Sequence, residues 1–138
     1  MRMLAAMSVT ALLVSTVAYA QPMAAGGSGL MSSVPSSSLT VTDWYKQDVY
    51  DRSNNKIGEI QDVLVNKDGK VDAAIIGVGG FLGAGEKDVA VSFDAIKQTM
   101  KNDKVYLTMD TSKDALKKAP GFKYDSDKTT WVPDNSSK

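Results

Sequence analysis

Between Lys56 and Phe93 the chain alternates apolar and polar residues with a period of two, and glycine breaks the pattern at intervals. The runs are Lys-Ile-Gly-Glu-Ile-Gln-Asp-Val-Leu-Val from Lys56, Val-Asp-Ala-Ala-Ile-Ile-Gly-Val from Val71 and Asp-Val-Ala-Val-Ser-Phe from Asp88. A period of two sends successive side chains to opposite faces, so each run reads as a strand with one buried face. Asp68-Gly69 lies between the first two runs as a two-residue hairpin signal. The stretch Gly79 to Gly85, which leads into the third run, is too rich in glycine for regular structure. Ile57 and Ile60 flank Gly58 at an odd spacing that predicts a bulge or a sharp bend. Beyond it, Val63 and Val65 share one face, and Ile60 and Leu64 the other.

Val105, Leu107 and Met109 alternate in the same way. Two short helices are expected. One covers Asp94 to Met100, with Ala95, Ile96 and Met100 as its apolar side. The other opens at Thr111-Ser112-Lys113-Asp114, in the manner of a capping box, and is stopped by Pro120-Gly121. Phe122 to Tyr124 and Thr129 to Val132 form a last hairpin across residues 125–128. Many short strands bent at glycine, with no long helix, predict an all-β fold: a small, strongly bent antiparallel β-barrel with one or two short helices. Closing the barrel would also remove edge strands that pair with other chains.

Ahead of this domain the composition changes twice. Met1 to Ala20 has a basic start at Arg2, an apolar stretch from Met3 to Val17 and the small-x-small pattern Ala18-Tyr19-Ala20. That is the layout of a secretory signal cleaved after Ala20. An uncleaved anchor is the competing reading, but Ser8, Thr10, Ser15 and Thr16 dilute the apolar stretch below what a membrane span requires. Residues 21–38 carry no charge and are dense in Gly, Ser and Pro, so they read as a disordered linker. The domain is then 39–133, and 134–138 form a polar tail. On this reading the mature protein is periplasmic or secreted and keeps no integral membrane segment.

Composition excludes several chemistries. Lys plus Arg is 16 and Asp plus Glu is 16, so no basic field calls for nucleic acid. With neither Cys nor His present, disulfides, thiolate nucleophiles, Ser-His-Asp triads and most zinc or copper ligation are ruled out. Carboxylates, Lys, Tyr and hydroxyls remain, and none has an activating partner that sequence alone reveals. No catalytic residue, cofactor or metal site is therefore assigned.

Four local features invite function. The loop from Gly77 to Lys87 resembles a phosphate loop, but a GxGxxG frame from Gly77 meets Leu82 where glycine is required. A Walker frame from Gly80 meets Glu86 where lysine is required, and a strand follows instead of a helix. Within that loop Phe81 and Leu82 either plug a barrel end or stand out as a partner surface. Glu59, Asp62, Asp68, Asp72, Glu86 and Asp88 suggest acid–base chemistry or a cation site. Glu59 and Asp62 are three apart, however, which a regular strand places on opposite faces, and residues 66–69 lack the ligand pattern of a calcium loop. Lys113, Lys117 and Lys118 form a basic patch diluted by acidic neighbours, while Trp44 and Trp131 read as clasps over the barrel.

Taken in order, Tyr45-Lys46-Gln47-Asp48-Val49-Tyr50-Asp51, Lys56-Ile57-Gly58-Glu59-Ile60-Gln61-Asp62-Val63-Leu64, Asp68-Gly69-Lys70, Ile75-Ile76-Gly77-Val78-Gly79-Gly80-Phe81-Leu82-Gly83 and Lys87-Asp88-Val89-Ala90-Val91 resemble a PRC-barrel domain. More narrowly, the chain is similar to exported single-domain PRC-barrel proteins of alphaproteobacteria. The resemblance runs from about Val41 to Tyr124. It implies a small, strongly bent barrel, related to the cytoplasmic domain of the photosynthetic reaction centre H subunit and to the C-terminal domain of a ribosome maturation factor. In both, the barrel docks and does not catalyse; the export signal separates this chain from either setting. The resemblance therefore implies an exported, non-catalytic docking module for a protein or envelope component. A small-ligand binder or enzyme using the carboxylates near the glycine loop, and a structural or stress-related envelope protein, remain the alternatives.

Overall fold

The computed structural model describes residues 24–25, 29–81 and 85–136. The chain divides into Met1–Ser38 and Leu39–Lys138. In the first unit β1 (Ala24–Ala25) pairs antiparallel with β2 (Leu30–Met31), and the Ser38 amide donates to the Pro35 carbonyl. The linker reading of residues 21–38 falls partly on residues outside the described set, and the leader of residues 1–20 lies wholly outside it.

The second unit begins with a one-turn helix, α1 (Val41–Trp44), followed by β3 (Asp48–Tyr50), β4 (Lys56–Val65), β5 (Val71–Phe81) and β6 (Gly85–Ser92). A 3-10 turn, Phe93–Ala95, leads to β7 (Ile96–Lys101) and β8 (Lys104–Met109). Then come α2 (Lys113–Lys118), β9 (Gly121–Asp125) and β10 (Thr130–Pro133). All eight strands join one sheet in the order β10-β9-β6-β5-β4-β3-β8-β7, so the unit is all-β with two short helices.

Connectivity forces this sheet to curl. β6 and β7 are five places apart in the strand order, which in a flat sheet is about 24 Å at the usual strand spacing. Only residues 93–95 join them, and a link that short reaches no more than about 14 Å. Bulges supply the bend. Ile57 is the extra residue where β4 meets β3, Gln61 where it meets β5, and β5 and β6 slip again between Val78 and Phe81. Inside the curl lies one apolar core, which includes Trp44, Val49, Ile57, Ile60, Ile76, Val78, Val89, Ile96, Leu107 and Leu116.

Several expectations change in detail. The ladder contains one parallel pair, β3 with β8. Full closure is not found among the described residues, since β10 and β7 each pair on one side only. The helix expected over Asp94 to Met100 is instead the 3-10 turn plus β7. Asn102 (φ +52°) and Asp103 (φ +60°) form the two-residue turn joining β7 to β8, and that turn imposes the strand by pairing Lys101 with Lys104. The hairpin at Asp68-Gly69 is longer than expected. Asn66 Oδ1 accepts from the amides of Asp68 and Lys70, and the Asn66 amide bonds Lys70 O, leaving five residues between β4 and β5. Glycine supports strand where a loop was expected, and β5 runs through Gly77, Gly79 and Gly80 to Phe81. Finally, the bulge at Gln61 reverses the parity of β4. Val63 therefore follows Ile60 into the core, while Val65 is exposed.

The helix at residue 113 is capped by Ser112, whose side chain accepts from the Ala115 amide at 3.1 Å.

Two glycines test this geometry in different ways. Gly69 has φ +81° with open space around a Cβ, so only backbone strain opposes a side chain there. Gly58 has an ordinary φ, but a Cβ would collide with Ile76 Cγ2 and sit 2.8 Å from Gly77 O. Gly69→Val is expected to cost about 1 kcal/mol, and Gly58→Ala more, about 2–3 kcal/mol, through overpacking against Ile76 and the Gly77 carbonyl. Urea unfolding of both variants measures the difference; equal stabilities would contradict the close approach of β4 and β5.

Candidate functional site

The two residues singled out as a partner surface receive no side-chain geometry. Phe81 ends β5 and its backbone pairs with Gly85, which has φ +70°. Leu82 and the Phe81 side chain lie outside the described residues. Two other surface features can be described: a polar seam on the outer face of β4, β5 and β6, and an apolar mouth beside α1.

The seam is built over Gly77. In the ladder Glu59 of β4 lies opposite Gly77 of β5, which lies opposite Asp88 of β6. Gln61 Nε2 donates to Glu59 Oε1 at 3.2 Å and to Glu86 Oε1 at 2.9 Å. Lys46 Nζ donates to Gln61 Oε1 and sits 3.6 Å from Glu59. A side chain at residue 77 would block this bridge, since its Cβ would lie 2.7 Å from Gln61 Nε2 and overlap the Glu86 carboxylate. The glycine is thus what lets β4 and β6 join hands across β5.

Asp62 shows why the carboxylates were misplaced from sequence. With Gln61 as an extra residue, Glu59 and Asp62 both point away from the core, although they are three apart. Asp62 Oδ2 accepts from Trp131 Nε1 at 2.8 Å. Its register partner Ile75 is fully buried yet stands outside the main core, on the face that this indole crosses. Trp131 also packs edge-on against Tyr124 at 5.9 Å, so it is a clasp on the outer face. Asp68 and Asp72 belong elsewhere, in and beside the Asn66 hairpin, where Asn66 Nδ2 donates to Asp72.

Beside the seam is a groove of 310 Å³ lined by Lys56, Glu59, Gly77, Gly79, Glu86 and Lys113. The basic patch on α2 divides: Lys113 faces this groove, while Lys87 donates to the carbonyl of Lys117. Among the described residues no group of three or more carboxylates is placed to hold a metal ion. Chemically the seam is a clamp, in which an amide and an ammonium tie down two carboxylates.

The mouth is different in kind. Trp44 is 2% exposed, stacks on Phe93 at 4.6 Å between ring centroids and donates its indole N–H to Gln98. Outside it lies a small cavity of 40 Å³ walled by Leu39, Thr40, Val41, Trp44, Val63, Val71 and Phe93. Leu39 and Val41 are 48% and 56% exposed, and Val65, the register partner of Val71, is exposed as well. Trp44 therefore clasps the barrel from inside and leaves an apolar rim. Sequence reasoning found the tryptophan but missed the rim, because Leu39 and Val41 stood at the start of the domain without a periodic pattern.

Among the carboxylates, Asp88 is the strained one. Its Oδ1 is buried with no hydrogen-bond donor, and burial, with the nearby Glu86 charge, pushes its carboxyl above the ordinary aspartate range. A raised folded-state value means that the group favours folding most below the unfolded value of 3.8, and that this advantage is lost as pH rises through the folded value. Asp88→Asn should therefore raise Tm at pH 7 and leave it nearly unchanged at pH 3. Thermal unfolding at both pH values checks this; equal shifts at both would contradict it.

No curated protein matches the chain. The family model for the PRC-barrel domain matches residues 38–116, which is more than half of the sequence. The match takes in α1 through β8 and ends within α2. The β9–β10 ribbon lies beyond it, although β9 pairs with β6 and Trp131 bonds Asp62. With its curled sheet, bulged β4 and glycine-rich β5, the chain belongs to the PRC-barrel domain family.

Proposed function

We propose that this PRC-barrel protein is a non-catalytic docking module of the cell envelope, exported by its leader and presenting its surface to a protein or another envelope component. The observation that carries the reading is the apolar rim at the barrel mouth. Leu39, Val41 and Val65 are exposed around a rigid floor of Trp44 stacked on Phe93. Exposed apolar groups gathered over a preorganised floor favour association, because little further ordering opposes binding there. The seam supports the same reading in that Glu59 and Glu86 are tied down by Gln61, with Lys46 beside Glu59.

Two measurements test it. Export predicts a mature N-terminus at Gln21, so mass spectrometry of envelope material should find no chain beginning at Met1. Docking predicts that the mature protein, used as bait in envelope extract, captures a partner that Leu39→Glu with Val41→Glu fails to capture. Both positions are about half exposed, so this variant should unfold within about 1 kcal/mol of the parent. Capture unaffected by the double change would remove the mouth from the proposal.

A second reading rests on the groove beside Gly77. A concave site with Lys56, Lys113, Glu59 and Glu86 converging on it is what a small polar ligand requires. On that reading Gly77→Ala abolishes ligand binding while partner capture at the mouth survives.

A further inference from the structure

Among the described residues the curled sheet ends in a strand that pairs on one side only. β7 pairs with β8 through six consecutive residues, from Ile96 opposite Met109 to Lys101 opposite Lys104, with no bulge. The two-residue turn at Asn102-Asp103 makes Lys101 and Lys104 a hydrogen-bonded pair. Alternation then gives the backbone groups of Lys97, Thr99 and Lys101 to β8 and turns those of Ile96, Gln98 and Met100 outward. The Ile96 amide is taken by Phe93 O. Among the described residues, the amides of Gln98 and Met100 and the carbonyls of Ile96, Gln98 and Met100 bond no other backbone segment.

Natural edges are usually blunted by a proline, a bulge or charge. The other edge, β10, is short and ends in Pro133. β7 has neither proline nor bulge, and its only guard is charge of one sign. Lys97 and Lys101 project from the strand and Lys104 from its partner, all exposed and none in an ion pair among the described residues. Asp94 precedes the strand, Asp103 sits in its turn, and Asp43 of α1 borders the groove that Met100 and Lys104 line. Lys101 Nζ lies 4.8 Å from the Tyr106 ring, which stacks on Tyr50 at 4.7 Å, so the cationic side of the edge has an aromatic floor.

We infer that β7 is a strand-addition site for an extended acidic peptide segment, which pairs with the amides of Gln98 and Met100 and sets its carboxylates against Lys97, Lys101 and Lys104. The same lysines disfavour a second copy of this chain, since β7 set antiparallel on β7 brings lysines against lysines. The inference goes beyond the docking role proposed above and does not depend on Leu39 or Val41.

The test uses the full-length protein and a capped synthetic peptide alternating glutamate and valine, with a lysine–valine peptide as control. Hydrogen exchange followed by NMR should show the Gln98 and Met100 amides slowing when the acidic peptide is added. Those of Thr99 and Lys101, already bonded to β8, should not change. Binding should weaken as salt rises. Lys97→Glu with Lys101→Glu should weaken the acidic peptide by about tenfold or more and confer binding of the lysine peptide. Met100→Pro removes a donor that β8 does not use, so it should keep the fold and lose the peptide. Protection appearing on other strands, affinity unchanged by the charge reversal, or Gln98 and Met100 protected without peptide in a concentration-dependent dimer would each overturn the inference.

Discussion

The three residues that carry the chain from β6 to β7 set the terms for everything else in this domain. Strands five places apart in the ladder are tied at one end by Phe93–Ala95, so the sheet has to close most of the way round. Phe93 itself is the tie that becomes a wall. Its ring lies against Trp44, which also bonds Gln98 in the next strand. A single aromatic pair thus anchors α1, the β6–β7 link and β7 together. The core then needs only modest side chains, since valine and isoleucine from both arms of the curl fill the space between.

Much of this was visible in sequence wherever a strand keeps its phase. Leu107 and Met109 alternate without interruption and are buried together, and Val105 packs beside them. Phase breaks are what sequence conceals. A bulge adds one residue to one strand and leaves no compositional mark, so nothing in Glu59-Ile60-Gln61-Asp62-Val63 announces that Gln61 is the extra one. Yet that residue decides that Val63 is inside and that Asp62 shares a face with Glu59. The segment from Asp94 to Met100 misled for another reason. Ala95, Ile96 and Met100 happen to fall at helical spacing, while the decisive signal was Asn102-Asp103, a pair that readily takes positive φ and fixes a hairpin.

The candidate site inherits both effects. The bulge brings Asp62 onto the face of Glu59, and Glu59 and Glu86 meet through Gln61 over Gly77 because no other residue leaves room for that side chain. Glycines that looked like a loop are better explained as a smooth floor for side chains arriving from neighbouring strands. Next to this floor Asp88 Oδ1 is buried without a donor, and that burial, with the Glu86 charge beside it, disfavours the ionised carboxylate. Lys46 offsets part of it from the segment linking α1 to β3. Fold and site are coupled here through geometry that depends on strand register, which is why regular alternation put Glu59 and Asp62 on opposite faces.

A curled but unclosed sheet has two ends, and this one treats them differently. β10 is held down by the Trp131–Asp62 bond, and Pro133 removes a donor at its end. β7 is held from beneath by Trp44 through Gln98, which fixes the strand without covering its outer backbone groups. Rigid support below and open hydrogen-bonding groups at the side lower the ordering cost of adding a strand. Lysine alone on that edge does not close it; it selects by charge. A neutral or basic strand meets repulsion or unrewarded desolvation, and an acidic one meets three lysines that form no ion pair among the described residues. The feature that keeps such an edge from pairing with its own kind is therefore also what defines the chemistry of a strand it accepts.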